Sequence, residues 1–499
     1  MISPWSMTVL SLLVTFFGFT LIAGYIGAKR TGKGLHEFYV AGGTLSTITV
    51  IFTYMATYME AYEFCGMSAL FVSDGAQWWL VDMSSYVVYV GLFIPLAIKF
   101  YKLGKLHKYV TITDHIVHRA GGFEKPLRII LAILLLWSTI IYVGMIYIPA
   151  AGVLSAATGG EISYHVFLAL YVVFIIIYVA AGGMRAVAYA DVIAGFTFLV
   201  AFIAMIYITI FHWGGFDKLA WTAYTSDIAP LTFTRTLPVQ YYVTYTIFAS
   251  LAWYFLPHLM PRIYAAKDWK GIVVGGFSVY TGFLIGAFVS PLLLGLALAA
   301  YYGLNLPEVP VVEGYVAALY KDLFGIGPLL ALVILGLIAI TRSTIDSLLL
   351  AASSLIDEDI IEKTLRIKVS ERTRSIITRI VVTACALTSI LPALAPEAPV
   401  VVMSIELVWP IFSILSSTAI VQILWPRSNK YGALAGYLVG LISLVLFNYV
   451  IWPEWPHNPF DLWEGALPTI TALAALVIVS LLTPPPPKEF IKQYYGLEK

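Results

Sequence analysis

Charge is what this sequence has least of. Asp, Glu, Lys and Arg make up 11% of its 499 residues, against roughly 25% in a soluble domain. Asn and Gln are scarce too, four of each, a usage associated with heat-stable chains. Cysteine is nearly absent. Cys65 and Cys385 both fall in apolar runs, which excludes a disulfide framework. No polar stretch is long enough for a soluble domain; the longest are 99–128, 213–238 and 356–375. A formal net charge of +1 gives no pull toward nucleic acid, and no obligate protein partner is evident.

What is there is apolar and aromatic. The hydrophobic share is 60% and Tyr, Phe and Trp together make 15%; the mean hydropathy is +0.88. Runs of about 20 apolar residues, the length that crosses a bilayer, recur along the chain. The pattern predicts an all-α integral membrane protein of about 13 transmembrane helices, near 6–28, 43–69, 76–98, 129–157, 163–181, 187–212, 239–257, 271–302, 326–355, 376–395, 399–425, 431–452 and 465–483. The first run is too long for a cleaved signal, and Lys29, Arg30 and Lys33 follow it rather than precede it. It is expected to span with the N-terminus outside. Loops then predicted inside hold 25 of the 29 Lys and Arg, with Lys218, Arg235 and Lys321 outside and Arg342 within a span. The C-terminus is expected in the cytoplasm and the protein in the cell membrane, multi-pass, with the lipid bilayer as its surroundings.

Seven charges interrupt the apolar runs: Glu60, Glu63, Asp82, Asp191, Arg342, Asp346 and Glu406. Each costs about 2.5–3.5 kcal/mol at mid-bilayer depth. Together they point to a polar path or pocket. The run near Glu60 crosses inside to outside, and the run five later, near Trp253, crosses outside to inside. Two five-helix blocks of opposite orientation fit an inverted repeat, an architecture that places ligand sites at broken helices near mid-membrane. The polar interruption at 55–63 (MATYMEAYE) is the expected break. The division expected is a peripheral helix at 1–35, a transport core at 36–425 built of repeats at about 36–212 and 239–425, and two peripheral helices with a tail at 426–499. Gly432, Gly436 and Gly440 are spaced for close helix packing. The charged segment 356–375 reads as a solvated cytoplasmic face.

Four stretches carry a resemblance. They are 38–45 (FYVAGGTL), 56–68 ending in FCGMS, 182–191 (GGMRAVAYAD), and 343–347 (STIDS) followed by Ser353, Ser354 and Asp359. Pro257, His258 and Arg262 add to them. With these the chain resembles the sodium/solute symporter family of sugar, proline, pantothenate and monocarboxylate carriers, over roughly 5–480. The resemblance implies a leucine-transporter-like inverted five-helix repeat plus peripheral helices. It implies a secondary active symporter that imports a small polar organic solute, an amino acid or organic acid rather than a sugar, by alternating access. Na+ is the implied coupling ion. Its implied ligands are the carbonyls of Ala56, Met59 and Ile340 and the hydroxyls of Ser343 and Thr344; neutral oxygens suit a hard cation. Asp191 falls on the implied ion path, with a surface pairing to Arg185 as the plainer reading. Implied solute contacts are Tyr58, Glu63, Asp82, Ser85 and Trp253. The chain departs from the family pattern at Gly43 and Ala194, and in the extra charges Glu60 and Arg342.

Glu60, Arg342 and Asp346 form an expected buried charge network. The i,i+4 spacing lets Arg342 pair with Asp346; a sharper reading has Arg342 also meeting Glu60 or Glu63. An enzyme is disfavoured by the lack of HExxH, GxSxG and Cys/His clusters. No pore loop or ligand ring marks a channel. A proton-coupled or uncoupled carrier is the alternative within transport, since a fixed Arg can stand in for a cation and buried acids can carry protons.

Overall fold

The structure is a computed structural model that describes residues 2–179, 183–234, 237–396, 398–453 and 458–497. Gly182, Arg235 and the last two residues of the run 163–181 lie outside the described residues. Among the described residues the apolar runs are mainly helical. Among the described residues, eight helices are long and apolar enough to cross a membrane; the other runs are shorter or broken. No strand occurs among them, only one β-bridge between Leu45 and Ala266.

Local chemistry sets the ends. Helix α1, Pro4–Lys29, starts with Pro4 at its first position and the Ser3 hydroxyl accepting Ser6 N–H. Helix α2, Thr47–Tyr58, is capped the same way by Ser46. It stops at Met59, whose backbone is extended at φ −84°, ψ 134°. The chain resumes through a π-turn, Tyr62–Gly66, into α3, Met67–Ser73. Glu63 explains the restart: its Oε2 accepts Glu60 N–H at 2.8 Å, the reach-back half of a capping box. The break therefore falls inside the predicted 55–63 window.

Long helices α4 (Gln77–His107), α6 (Glu124–Ala157) and α8 (Gly183–His212) surround this pair. Between α4 and α6 lies short α5, Ile112–Ala120, with a full capping box from Thr111 and Asp114, and between α6 and α8 lies α7, Tyr164–Val179. A second break was not foreseen. Helix α9, Val239–Ala252, runs into a 3-10 turn at Trp253–Phe255, and α10, Met260–Ala265, follows. Leu256 is extended, and Pro257 supplies no N–H. Ser416 takes up the freed groups, accepting Phe255 N–H at 3.2 Å and donating to Ala252 O at 2.7 Å. Helix α11, Pro328–Ser354, packs on α8, which also packs on α1 and α2. The close packing expected of Gly432, Gly436 and Gly440 is present: a Cβ on Gly432 would fall 1.9 Å from Ser480 Oγ.

The segment 356–375 is a solvated face only in its second part, where 365–368 are exposed; its first part packs inward. Asp357, Glu358 and Asp359 are buried. Arg128 lies 2.8 Å from Asp114 and also pairs with Asp359; Lys363 reaches Asp114 at 2.5 Å and pairs with Glu358. Arg374 pairs with Asp357 and Glu362. Burial disfavours the Asp114 carboxylate, but Lys363 and Arg128 override it and hold its pKa below the ordinary value. A charge-rich sequence packs inward here because opposite signs arrive from α5, α6 and the end of α11.

Candidate functional site

Both breaks open on one small internal cavity of about 20 Å³, the space of roughly one water. The first break contributes Tyr58, Glu60 and Glu63, and the second Trp253, Leu256, His258 and Leu259. Tyr86 of α4, Tyr142 of α6 and Trp409 complete it. Trp409 opens α12, Trp409–Leu424. Aromatic rings pack around the space: Tyr86 and Trp253 lie tilted 4.4 Å apart between centroids, while Tyr142 and Trp409 at 5.4 Å and Trp253 and Trp409 at 6.0 Å meet edge to face. The two acids are held by tyrosines, Tyr142 donating to Glu60 and Tyr86 to Glu63.

Among the described residues, several polar atoms at this cavity have no hydrogen-bond partner: Tyr58 OH, both ring nitrogens of His258, and Trp409 Nε1. An unpaired buried polar group costs about 1–3 kcal/mol, so a cluster of them marks a place where something else binds.

Beside the first break sits a charge cluster on Asp191, which is fully buried. Asp191 Oδ1 accepts from Arg342 Nη2 at 2.8 Å and Ser343 Oγ at 2.8 Å. Its Oδ2 accepts from Arg262 Nη2 at 3.0 Å and Thr53 Oγ1 at 2.6 Å. Arg262 also donates through Nε to Thr53 Oγ1 at 3.0 Å. Arg342 Nη1 lies 2.8 Å from Asp346 Oδ2, a charge contact without hydrogen-bond alignment. The hydroxyls of the proposed ion site meet the end of α2: Ser343 Oγ is 3.1 Å from Thr57 Oγ1, and Thr344 Oγ1 is 3.4 Å from Thr57 O and 3.3 Å from Ile340 O. Carbonyls at the C-terminal end of α2, including those of Ala56 and Met59, are the ones a helix break leaves without its own N–H groups.

Several expectations are corrected here. Asp191 does not pair with Arg185, which instead meets Glu37, Ala41 O and Thr44. Arg342 meets Asp191 and Asp346, not Glu60 or Glu63. Glu60 thus belongs to the aromatic cavity and leaves the Arg342–Asp346 network. Asp82 stands behind the cavity wall, accepting Tyr62 OH at 3.1 Å and Tyr245 OH at 3.0 Å. Ser85 only bonds back to Asp82 O at 2.7 Å. Glu406 is half-buried and lines none of this. Tyr142, Trp409 and Thr57 were missed as site residues. One Tyr or Trp among many in apolar helices carries no sequence signal, whereas Thr53 and Thr57 share a helix face at i,i+4 and could have been noticed.

Two broken helices, buried carboxylates and unpaired polar groups at one internal cavity are the build of a multi-pass carrier with a central ligand site. A model of the sodium:solute symporter family matches residues 38–440. The chain belongs to that family. It is 25% identical over 485 residues to the high-affinity proline transporter PutP of Bacillus subtilis (strain 168), covering 95% of this chain and 98% of the relative. It is 26% identical over 447 residues to the sodium/pantothenate symporter of Haemophilus influenzae, covering 88% and 89%. Its fold is that of a Na+-coupled sialic acid symporter solved in a substrate-bound outward-open state, at TM-score 0.77 and 18% identity, covering 96% and 98%. It is also shared with Mhp1, a nucleobase-cation-symport-1 family transporter in a closed conformation, at TM-score 0.58 and 12% identity, covering 92% and 98%. The protein is thus a sodium-coupled symporter of a small solute, with Na+ as coupling ion rather than resident cofactor.

Proposed function

We propose that this symporter imports a small nitrogen-containing polar solute through the cavity between the two breaks. The observation that carries this is the set of unpaired polar atoms on Tyr58, His258 and Trp409 around Glu60 and Glu63. Curated relatives that carry proline and pantothenate support a small polar solute over a sugar. Sodium is held by the carbonyls of Ala56, Met59 and Ile340 with Ser343 and Thr344, the hydroxyls that meet the end of α2. Asp191 lies beside that ion and sets its access. The core spans 36–425 as two repeats, with 1–35 and 426–499 peripheral. The N-terminus faces outside the cell membrane and the C-terminus the cytoplasm.

Uptake by purified protein in proteoliposomes tests this, using labelled amino acids, amines, organic acids and sugars with and without an inward sodium gradient. A nitrogen-containing solute accumulated only with the gradient is expected. Accumulation of a sugar alone, or accumulation indifferent to sodium, overturns the reading.

A further inference from the structure

We infer that the transported solute is a small organic cation, a protonated amine held between Glu60 and Glu63 within a ring of aromatic faces. This rests on the cavity at the two breaks being the solute site.

Three features of the cavity agree. First, its fixed charges have one sign. Glu60 and Glu63 line it, and Asp82 stands directly behind. Among the described residues none of the three forms an ion pair with Lys or Arg. The two nearby guanidiniums, Arg262 and Arg342, are both taken up by Asp191. Second, the acids accept hydrogen bonds rather than donate them. Tyr142 donates to Glu60, Tyr86 and the Glu60 N–H donate to Glu63. Carboxyl oxygens fixed in place by these donors keep lone pairs for a ligand N–H. Among the described residues, Tyr142 donates to one oxygen of Glu60 and no donor reaches the other. Third, Tyr58, Tyr86, Tyr142, Trp253 and Trp409 present rings to the same space. Ring faces attract cations within about 6 Å, more strongly once water is excluded.

The charge balance decides between solute classes. An organic anion would meet two carboxylates and no compensating base. A neutral sugar would bond to them but leave both charges desolvated, which costs several kcal/mol per ion. A zwitterion would bring a carboxylate whose nearest free partner is a single buried His258. A monocation offsets one of these negative charges and pairs directly with Glu60 or Glu63.

The test is binding and uptake by the full-length protein, with ethanolamine as the amine, choline as a cation without N–H, proline as zwitterion and lactate as anion. Ethanolamine is expected to raise Tm and to accumulate with sodium. Choline should bind at least tenfold more weakly, since its ammonium has no N–H to donate to Glu60. Glu60→Gln should weaken ethanolamine binding tenfold or more, and Tyr142→Phe should keep the fold while weakening it less. Binding of proline or lactate with no response to ethanolamine overturns the inference and leaves sodium symport standing. Ethanolamine binding with uptake indifferent to sodium supports the inference and overturns the sodium-coupled reading instead.

Discussion

Arg342 Nη2 stands 2.8 Å from Asp191 Oδ1, joining α11 to α8 through two fully buried charges. Arg262 takes the other oxygen of the same carboxylate. One negative charge thus faces two positive ones, and Asp346 supplies the balance from the far side of Arg342. Ser343 bonds the same Asp191 oxygen as Arg342. A sodium ion beside Ser343 would therefore sit near a fixed cation. At an effective dielectric of 20, unit charges about 5 Å apart repel by about 3 kcal/mol. Asp191 would offset that repulsion, so in the proposed site ion binding would depend on the position of Arg342.

Removing Arg342 tests the cluster. Arg342→Ala leaves Asp191 and Asp346 without their shared partner, a loss of about 3–5 kcal/mol for a broken buried pair. Melting temperature should fall and transport should be lost. Asp346→Asn in the same chain should restore much of the stability. Glu60→Gln and Glu63→Gln should restore none, because those acids bond tyrosines. Rescue by either glutamate variant would mean that Arg342 changes partner during transport.

Ser343→Ala with Thr344→Ala should raise the sodium concentration for half-maximal uptake tenfold or more, equivalent to about 1.4 kcal/mol. Both hydroxyls meet the end of α2. Unchanged sodium dependence in the double variant would place the ion elsewhere.

Much of this was readable in the sequence, for physical reasons. Long apolar runs define helices because the backbone in lipid must satisfy itself. The first break was legible because Glu60 and Glu63 interrupt such a run. The second was not: Trp253 to Leu259 stays apolar apart from His258, and only Pro257 hints at lost hydrogen bonding. Charge partners were the least legible. The i,i+4 pair of Arg342 with Asp346 follows from helix geometry, but Arg342 with Asp191 spans 151 positions and depends on packing. The buried cluster of Asp114, Arg128 and Asp359 was misread for the same reason.

Acid should destabilise the protein through His115. This side chain is fully buried between Tyr264 OH and Tyr494 OH, each 3.0 Å away. Burial first, then the neighbouring His107 and His118, push its pKa down to about 3. The unfolded chain binds a proton near pH 6.5. Stability from the neutral ring is thus complete above that pH and is lost as pH falls toward the folded value. At pH 5 the loss is about 2 kcal/mol. His115→Gln should shrink the drop in Tm between pH 8 and pH 5, leaving the smaller share of His118, whose pKa burial lowers to about 4. An undiminished drop would put the acid sensitivity elsewhere.

Asp82 separates a wall from a binding group. Its Oδ1 accepts from Tyr62 and Tyr245, which ties the restart after the first break to α9. It does not line the cavity. Asp82→Asn keeps one oxygen acceptor for a tyrosine but adds an amide whose two donors have no ready acceptor there. An unsatisfied buried donor costs about 1–3 kcal/mol, so Tm should fall by several degrees. Solute affinity should stay within about twofold, because in the proposed site Glu60 and Glu63 line the cavity and Asp82 does not. Glu63→Gln should show the opposite split, with affinity lost more than stability. If Asp82→Asn instead abolishes solute binding at unchanged Tm, the carboxylate reaches the solute when the cavity opens, and the wall formed by Tyr62 and Tyr245 is the part that moves.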